Sequence, residues 1–417
     1  MIYSLNKNIF LVKGATKSCI YDLRSSHARI YWFHNSYLSI RNFANKVSKI
    51  LKENINPKPF LIQTPSYKQK LNFAWIEITS KCNINCQYCY LPNKRNQHIT
   101  AKEFLHVLHF LIEKDCRKIM LIGGEPFCHP NVLDLIRQAK KYGFEVSLYT
   151  NGLLLNESLI KTISKLNISI NIGIPSVIFH STKSVKKLKK NIVLAKKYGI
   201  LNKVSATITR YNYNYDFKSL LADSFELFKP DLVRINSKSG LKYYNIDLLN
   251  KKLITLDTFR AKLESKTITK RFYYHNCFAK RIYISSDLSI FPCPMVRNIN
   301  LGKLLPNSDI SYANLKSLFT LTKDKIFICR YCEFRYACFD CRFEVWGKNP
   351  YNRPWYCTYN PFTGKWITAK LYIDKYLKGE ENMQDQNIVL LTKDEKEHEV
   401  SKTEIFCSPG WCQPVEE

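Results

Sequence analysis

Thr79-Ser80-Lys81-Cys82-Asn83-Ile84-Asn85-Cys86-Gln87-Tyr88-Cys89-Tyr90 sets three cysteines at the spacing C-x3-C-x2-C, directly after an alternating, strand-like run from Phe73 to Ile78. A tight loop leaving a strand can turn all three thiolates toward one point. Three thiolates ligate three irons of a cubane [4Fe–4S] cluster and leave the fourth iron open to another ligand. The same cysteines suit zinc, which would want a fourth protein ligand close by, and the nearest histidine downstream is His98. Thiolate-rich sites serve both metals, so the loop alone leaves the choice open.

From Phe73 onward, apolar strands alternate with amphipathic helices. The pattern predicts strands at 73–79, 118–122, 145–150, 168–174, 203–210 and 231–237, with helices at 101–114, 130–142, 156–166, 182–198 and 216–228 between them. Thr100 with Glu103 reads as a capping box opening the first helix. Six such repeats imply a parallel sheet with its chemistry at the carboxyl ends of the strands. The loops there agree. Gly123-Gly124-Glu125-Pro126 follows the second strand: two glycines admit a ligand close to the backbone, and a carboxylate beside them can take an ammonium group. The third strand ends Tyr149-Thr150-Asn151-Gly152, and the fourth carries Ser169 and Asn171 in an otherwise apolar run. Those two read, from the residues alone, as outward-facing strand residues.

Three motifs in this order over residues 75–237 resemble the radical S-adenosylmethionine (SAM) enzymes. The resemblance implies an α/β fold, a partial (β/α)6 barrel, in which Cys82, Cys86 and Cys89 hold a [4Fe–4S] cluster and SAM's amino and carboxylate groups take the open iron. Tyr88 belongs to that family pattern. Gly123, Gly124 and Glu125 would grip the SAM amino group, Thr150 and Asn151 would lie near SAM, and Ser169 would face its ribose.

A second cysteine group follows: Cys277, Cys293, Cys329, Cys332, Cys338, Cys341 and Cys357. Paired C-x2-C motifs commonly bind zinc. Downstream of such a barrel, their order resembles the SPASM domain, which carries auxiliary [4Fe–4S] clusters. By that resemblance Cys329, Cys332, Cys338 and Cys357 hold one cluster completely, and Cys277, Cys293 and Cys341 hold another that lacks a fourth cysteine. That corner would be open to a substrate thiolate or closed by another ligand such as His275. Two departures stand out: Leu288 replaces the usual glycine, and Cys338 to Cys341 is C-x2-C instead of C-x3-C. The stretches Cys329–Arg342 and Pro354–Pro361, with Val12–Leu23 near the start, resemble the maturases of grasp-with-spasm systems. Their implied partners are a ribosomal precursor peptide, an electron donor such as flavodoxin or ferredoxin, and an ATP-grasp ligase.

The rest of the chain frames this core. Residues 1–56 read as a small β-module with a helix at 40–53, a natural place for a peptide leader to dock. A linker spans 57–72, the radical SAM core 73–265, the cysteine-rich domain 266–363, and a helix with an acidic tail 364–417. A further helical segment is expected near 255–265. Fifteen cysteines argue for metal over a disulfide framework. No apolar run spans a membrane and no signal peptide opens the chain, so a cytoplasmic protein is expected.

The net charge of +30 could suit nucleic acid, but much of it is lysine along helix faces such as Val185–Lys190, which reads as solvated surface. From Gly379 onward there are ten acids and three lysines, so that tail carries −7 and the remainder +37. A basic body with an acidic peptide partner is therefore the alternative to nucleic acid. The tail from Met383, with Asn387–Leu391 and a Cys407/Cys412 end, reads either as a dispensable acidic extension or as a precursor-like peptide. A thioether cross-link follows if those cysteines are substrate; epimerisation and carbon–carbon cross-linking use the same motifs, and Cys116 and Cys128 are spare thiols.

Overall fold

The computed structural model describes residues 1–39, 43–62, 70–91, 96–259, 264–275, 277–304, 312–338, 340–378 and 406–407. An antiparallel sheet opens the chain: β1 (Ile2–Asn6), β2 (Ile9–Lys13), β3 (Lys17–Asp22) and β4 (Arg29–His34), with α1 (Phe43–Leu51) packed on it and the short β5 (Lys58–Pro59) paired beside β1. Strand alternation gives this sheet two apolar faces. Leu5, Ile9, Leu11, Ile20 and Phe33 meet Val47 and Leu51 of α1. On the other face Val12, Cys19 and Tyr21 share a core with Phe272, Phe334, Tyr336 and Tyr359. The N-terminal sheet is thus packed onto the cysteine-rich region, and Cys19 is a buried packing thiol.

The parallel repeats follow: β6 (Phe73–Thr79), α2 (Ala101–Glu113), β7 (Lys118–Gly123), α3 (Val132–Lys141), β8 (Glu145–Thr150), α4 (Glu157–Lys165), β9 (Ser169–Ile174), α5 (Thr182–Lys197), β10 (Leu201–Ile208), α6 (Phe217–Leu221) and β11 (Phe228–Leu232). The six strands lie in sequence order and all pair in parallel. Ile76, Leu121, Leu148, Ile172 and Val204 point to the helices and meet Phe104, Leu135, Ile160 and Leu188. Each such fully buried aliphatic side chain contributes about 2 kcal/mol. The opposite, inner face carries Trp75 and Met120 beside Tyr283 and Phe291. The capping box forms as expected: Thr100 accepts from Glu103 N, and Glu103 accepts from Thr100 N.

The sixth repeat departs from expectation. Its helix stops at Leu221, where Ala222 takes a left-handed φ of 43°, and the strand forms at 228–232 instead of 231–237. β11 is an edge strand, so Pro230 is tolerated within it. The helix expected near 255–265 is also replaced: α7 (Ile246–Lys252) and α8 (Ser265–Tyr273) flank that stretch, and 260–263 lie outside the described residues.

The sheet does not end at β6. β12 (Arg281–Ile284) pairs in parallel with β6, and β13 (Ile290–Phe291) closes a hairpin on β12, giving eight strands in all. The hairpin that the sequence assigns to the cysteine-rich domain is hydrogen-bonded into the barrel sheet. At its turn Leu288 adopts the left-handed conformation (φ 67°) that a glycine would take without strain, and its side chain is buried in the core. Beyond it come α9 (Tyr312–Phe319), β14 (Tyr359–Asn360), β15 (Lys365–Trp366), α10 (Ala369–Tyr372) and β16 (Phe406–Cys407). β16 adds to the free edge of β4, with Phe406 opposite Trp32 and Cys407 opposite Tyr31. The tail residues Asn387–Leu391 and Cys412 lie outside the described residues. Among the described residues no helix is long and apolar enough to cross a membrane.

Candidate active site

The cysteine loop leaves the carboxyl end of β6, where the loops after β7, β8 and β9 close around it. Cβ atoms added at Gly123 and Gly124 would come within 2.3 Å of the Thr79 and Lys81 carbonyl oxygens. Only glycine permits so close a backbone approach, so the two glycines seat the loop. Asn151 Nδ2 donates to Asn83 Oδ1 at 2.7 Å, tying the end of β8 to the loop between Cys82 and Cys86. The Tyr88 hydroxyl accepts from Ser176 N at 2.7 Å and lies 3.2 Å from Ser176 Oγ, just past β9. Burial raises the Tyr88 hydroxyl to about 12, so it stays protonated.

Glu125 is fully buried, and its carboxylate turns toward β8. Thr150 Oγ1 donates to it at 2.6 Å, Asn151 N at 2.7 Å and Phe127 N at 3.3 Å. Burial pushes Glu125 up to about 7 against these hydrogen bonds. Gly123–Glu125 and Thr150–Asn151, separate motifs in the sequence, are one hydrogen-bonded unit here. Ser169 is not part of it. It begins β9, opposite Ser147, at the amino end of the strand and about 15 Å from the carboxyl end where the loop sits. Asn171 is held within the sheet, donating to Leu148 O and accepting from Asn202. The turn after the fourth strand contributes Ser176 instead, a residue that no motif marks. Of the two spare thiols, Cys116 is wholly buried and donates to Lys118 O. Cys128 stands in electrostatic contact with Glu125 and Cys82.

A buried network joins this corner to the hairpin. Glu77, on the inner face of β6, accepts from Ser286 Oγ at 2.7 Å, from the Tyr283 hydroxyl, and from Arg297 Nη2 at 2.7 Å. The Arg297 guanidinium lies 5.6 Å from the ring centre of Tyr90, the neighbour of Cys89. Farther along the inner face the Tyr149 hydroxyl is 2.8 Å from Ser205 Oγ, and Arg234 pairs with Asp231 and reaches Met295 Sδ at 3.7 Å.

The second cysteine group falls into two sets. Cys329, Cys332, Cys338 and Cys357 lie within electrostatic reach of one another. Cys293 likewise feels Cys277, and Cys341 feels Cys293. Burial pushes Cys293 to about 11 and Cys341 to about 12, so a metal there must displace protons. His275 is buried and its Nδ1 accepts from Cys277 N and Phe278 N, leaving that nitrogen no lone pair for a metal. Among the described residues no three His, Cys, Asp or Glu side chains converge as the shell of one metal ion does. A cubane, with an iron beneath each thiolate, spreads its ligands wider.

Cations surround the four-cysteine set, and two of their atoms are orphaned. Arg342 Nε and Arg353 Nη1 are buried without a hydrogen-bond partner. An anionic iron–sulfur group among these thiolates would answer them, so the residues present fit it.

Residues 76–222 match the Radical SAM superfamily model. This chain carries a radical SAM domain. An uncharacterized protein of Methanocaldococcus jannaschii is 26% identical over 264 residues, 58% of this chain and 92% of that one. The GTP 3',8-cyclase of Peptoclostridium acidaminophilum is 27% identical over 231 residues, 50% of this chain and 70% of that one. Among solved structures, native anSMEcpe with bound AdoMet and Kp18Cys peptide superposes with a TM-score of 0.50 at 16% identity, over 74% of this chain and 98% of that one, a likeness of fold. The radical SAM domain contains the Cys82–Cys89 loop, the glycine pair and the Asn151 contact.

Proposed function

We propose that this radical SAM enzyme modifies a ribosomally synthesised peptide, most simply by forming a cross-link such as a thioether. The observation that carries the reading is the gathering of two further cysteine sets against the barrel, one of them beside the inner face through Arg234. When bound, SAM and its cluster would supply radical chemistry able to abstract a hydrogen atom from an unactivated carbon. The chain's own residues do the rest. Cys82, Cys86 and Cys89 would hold the SAM cluster. Gly123, Gly124 and Glu125 shape the place of the SAM amino group, and Asn151 and Ser176 fix the loop through Asn83 and Tyr88. Trp75, Met120, Tyr149 and Ser205 lie on the inner face of the sheet, where they would limit water.

The auxiliary [4Fe–4S] clusters would sit on Cys329/Cys332/Cys338/Cys357 and on Cys277/Cys293/Cys341, the latter with room for a substrate thiolate. Peptide as the substrate class is supported by the acidic tail on a basic body and by Phe406–Cys407 lying along β4. Flavodoxin or ferredoxin would deliver the electron, and an ATP-grasp ligase would act in the same pathway, in the cytoplasm.

The test is anaerobic reconstitution with SAM and a reductant, followed by mass spectrometry of the peptides spanning Met383–Glu417 and of added precursor peptides. Loss of two hydrogen atoms from a cysteine-bearing peptide that persists after thiol reduction supports a cross-link. An unchanged mass with deuterium gained from D2O indicates epimerisation. SAM cleavage with neither change in any peptide overturns the reading. A nucleotide or RNA substrate is the second reading, favoured by the net charge of +30 and by the nucleotide named for the GTP cyclase relative. It predicts tight binding that weakens steeply with salt.

A further inference from the structure

The two downstream cysteine sets sit in different electrostatic surroundings. Around Cys329, Cys332, Cys338 and Cys357, buried cations meet the cysteines or their backbone. Lys323 Nζ lies 3.1 Å from Cys338 Sγ. Arg271 Nη1 binds the carbonyls of Tyr336 and Ala337, immediately before Cys338, at 3.0 and 2.9 Å. Arg353 Nη2 binds the Cys357 and Tyr359 carbonyls. Arg342 is in electrostatic contact with Cys329 and Cys338. Against these four stands one carboxylate, Asp340, shared by Lys323 at 3.1 Å and Arg342. Arg335 also reaches the Cys332 carbonyl, at 2.9 Å, but is neutralised by Asp324. Glu333, next to Cys332, is balanced by Lys17, whose ammonium lies within its field. Three positive charges remain in excess among the thiolates.

Around Cys277, Cys293 and Cys341 the excess is smaller: Cys277 shares the fields of Arg342 and Arg271, but the Lys323 and Arg353 contacts belong to the four-cysteine set. Arg234 is paired with Asp231 and Lys252 with Glu344. Arg281 also faces Cys277, but it stands exposed, where water screens it.

An iron–sulfur cluster gains negative charge on reduction, and nearby cations and hydrogen bonds to its sulfurs favour the reduced form. We propose that this cation ring makes a cluster held by Cys329, Cys332, Cys338 and Cys357 easier to reduce than one held by Cys277, Cys293 and Cys341, with Lys323 setting much of the difference. The inference rests on the reading that both sets hold [4Fe–4S] clusters. Lys323 acts as a positioning charge, through the sulfur it touches.

The experiment is a dithionite titration followed by electron paramagnetic resonance on full-length chain carrying Cys82/Cys86/Cys89→Ala, so that only the two downstream sets contribute. Adding Cys277→Ala assigns the signals. The four-cysteine signal is expected first as the potential is lowered. Lys323→Met should shift it to lower potential, Lys323→Arg should leave it in place, and Asp340→Asn, which removes the one local anion, should shift it upward. Where Lys323→Met loses its iron, Asp340→Asn carries the test alone. Full iron with an unmoved midpoint in both variants, or earlier reduction of the Cys277 set, overturns the proposal. Iron counts separate that failure from failure of the cluster reading, which would appear as zinc or no iron in the triple variant itself.

Discussion

The Cys82–Cys89 loop and the Cys329–Cys357 set are both half-buried groups of thiols, yet they are built by opposite means. The first is seated by neutral contacts: a glycine pair against two carbonyls, an asparagine on an asparagine, a tyrosine hydroxyl on a serine. The second is caged by arginines and a lysine drawn from four separate stretches of chain. A group whose open corner must exchange a small molecule needs a surround that does not depend on its charge. A group ligated on every side can be part of the core and can neutralise cations that would otherwise be costly to bury.

That contrast can be tested, starting with the largest effect. Cys82/Cys86/Cys89→Ala should abolish SAM cleavage to 5′-deoxyadenosine while about eight iron atoms per chain remain, four for each cubane; a residue of about four would remove the Cys277/Cys293/Cys341 set from the cluster reading. Stripping iron with a chelator should loosen the caged site and leave the parallel sheet intact. An uncompensated buried charge costs about 3–5 kcal/mol, so amide exchange should accelerate at β3 and Tyr336–Ala337 and stay slow at β7. Equal protection at all three would dissolve the distinction. Glu77→Ala, which breaks the bridge between the loop and the hairpin, should cost about 2 kcal/mol in denaturant unfolding, less than a fully buried pair because Arg297 keeps contact with water.

Glu125 sharpens the neutral side of the comparison. Burial raises it from 4.5 to about 7, so between those values the folded chain holds a proton that the unfolded chain has released. Its contribution to stability is full at acid pH and is lost as pH rises through about 7. SAM binding would run the other way, because an iron-bound amino group donates its N–H most strongly to an ionised carboxylate. Affinity measured by calorimetry should weaken as pH falls through about 7, by at most about tenfold per unit, and Glu125→Gln should remove that part of the dependence. Thr100→Ala should cost about 1 kcal/mol by removing the cap of α2 and should change no iron count.

The sequence by itself determined whatever depends on near neighbours. Apolar runs alternating with amphipathic helices specify β6 to β10 within a residue or two, the Thr100–Glu103 pair specifies the start of α2, and C-x3-C-x2-C followed by Gly-Gly-Glu-Pro marks two loops that the fold brings together. These are local signals, repeated at fixed spacing, and they survive in a single chain. Tertiary structure decided what distant residues make together. Nothing near Arg281–Ile284 marks β12 as the neighbour of β6, because pairing is chosen by the whole sheet. Ser169 looked eligible because strand polarity is visible in sequence while position along the barrel axis is not, and Ser176, beyond the strand, holds Tyr88 instead. Arg271, Lys323, Arg342 and Arg353 are unremarkable singly in a chain with 64 basic residues. Folding gathers them about the four-cysteine set, where, away from water, their charges act strongly on one another and on whatever those thiols hold.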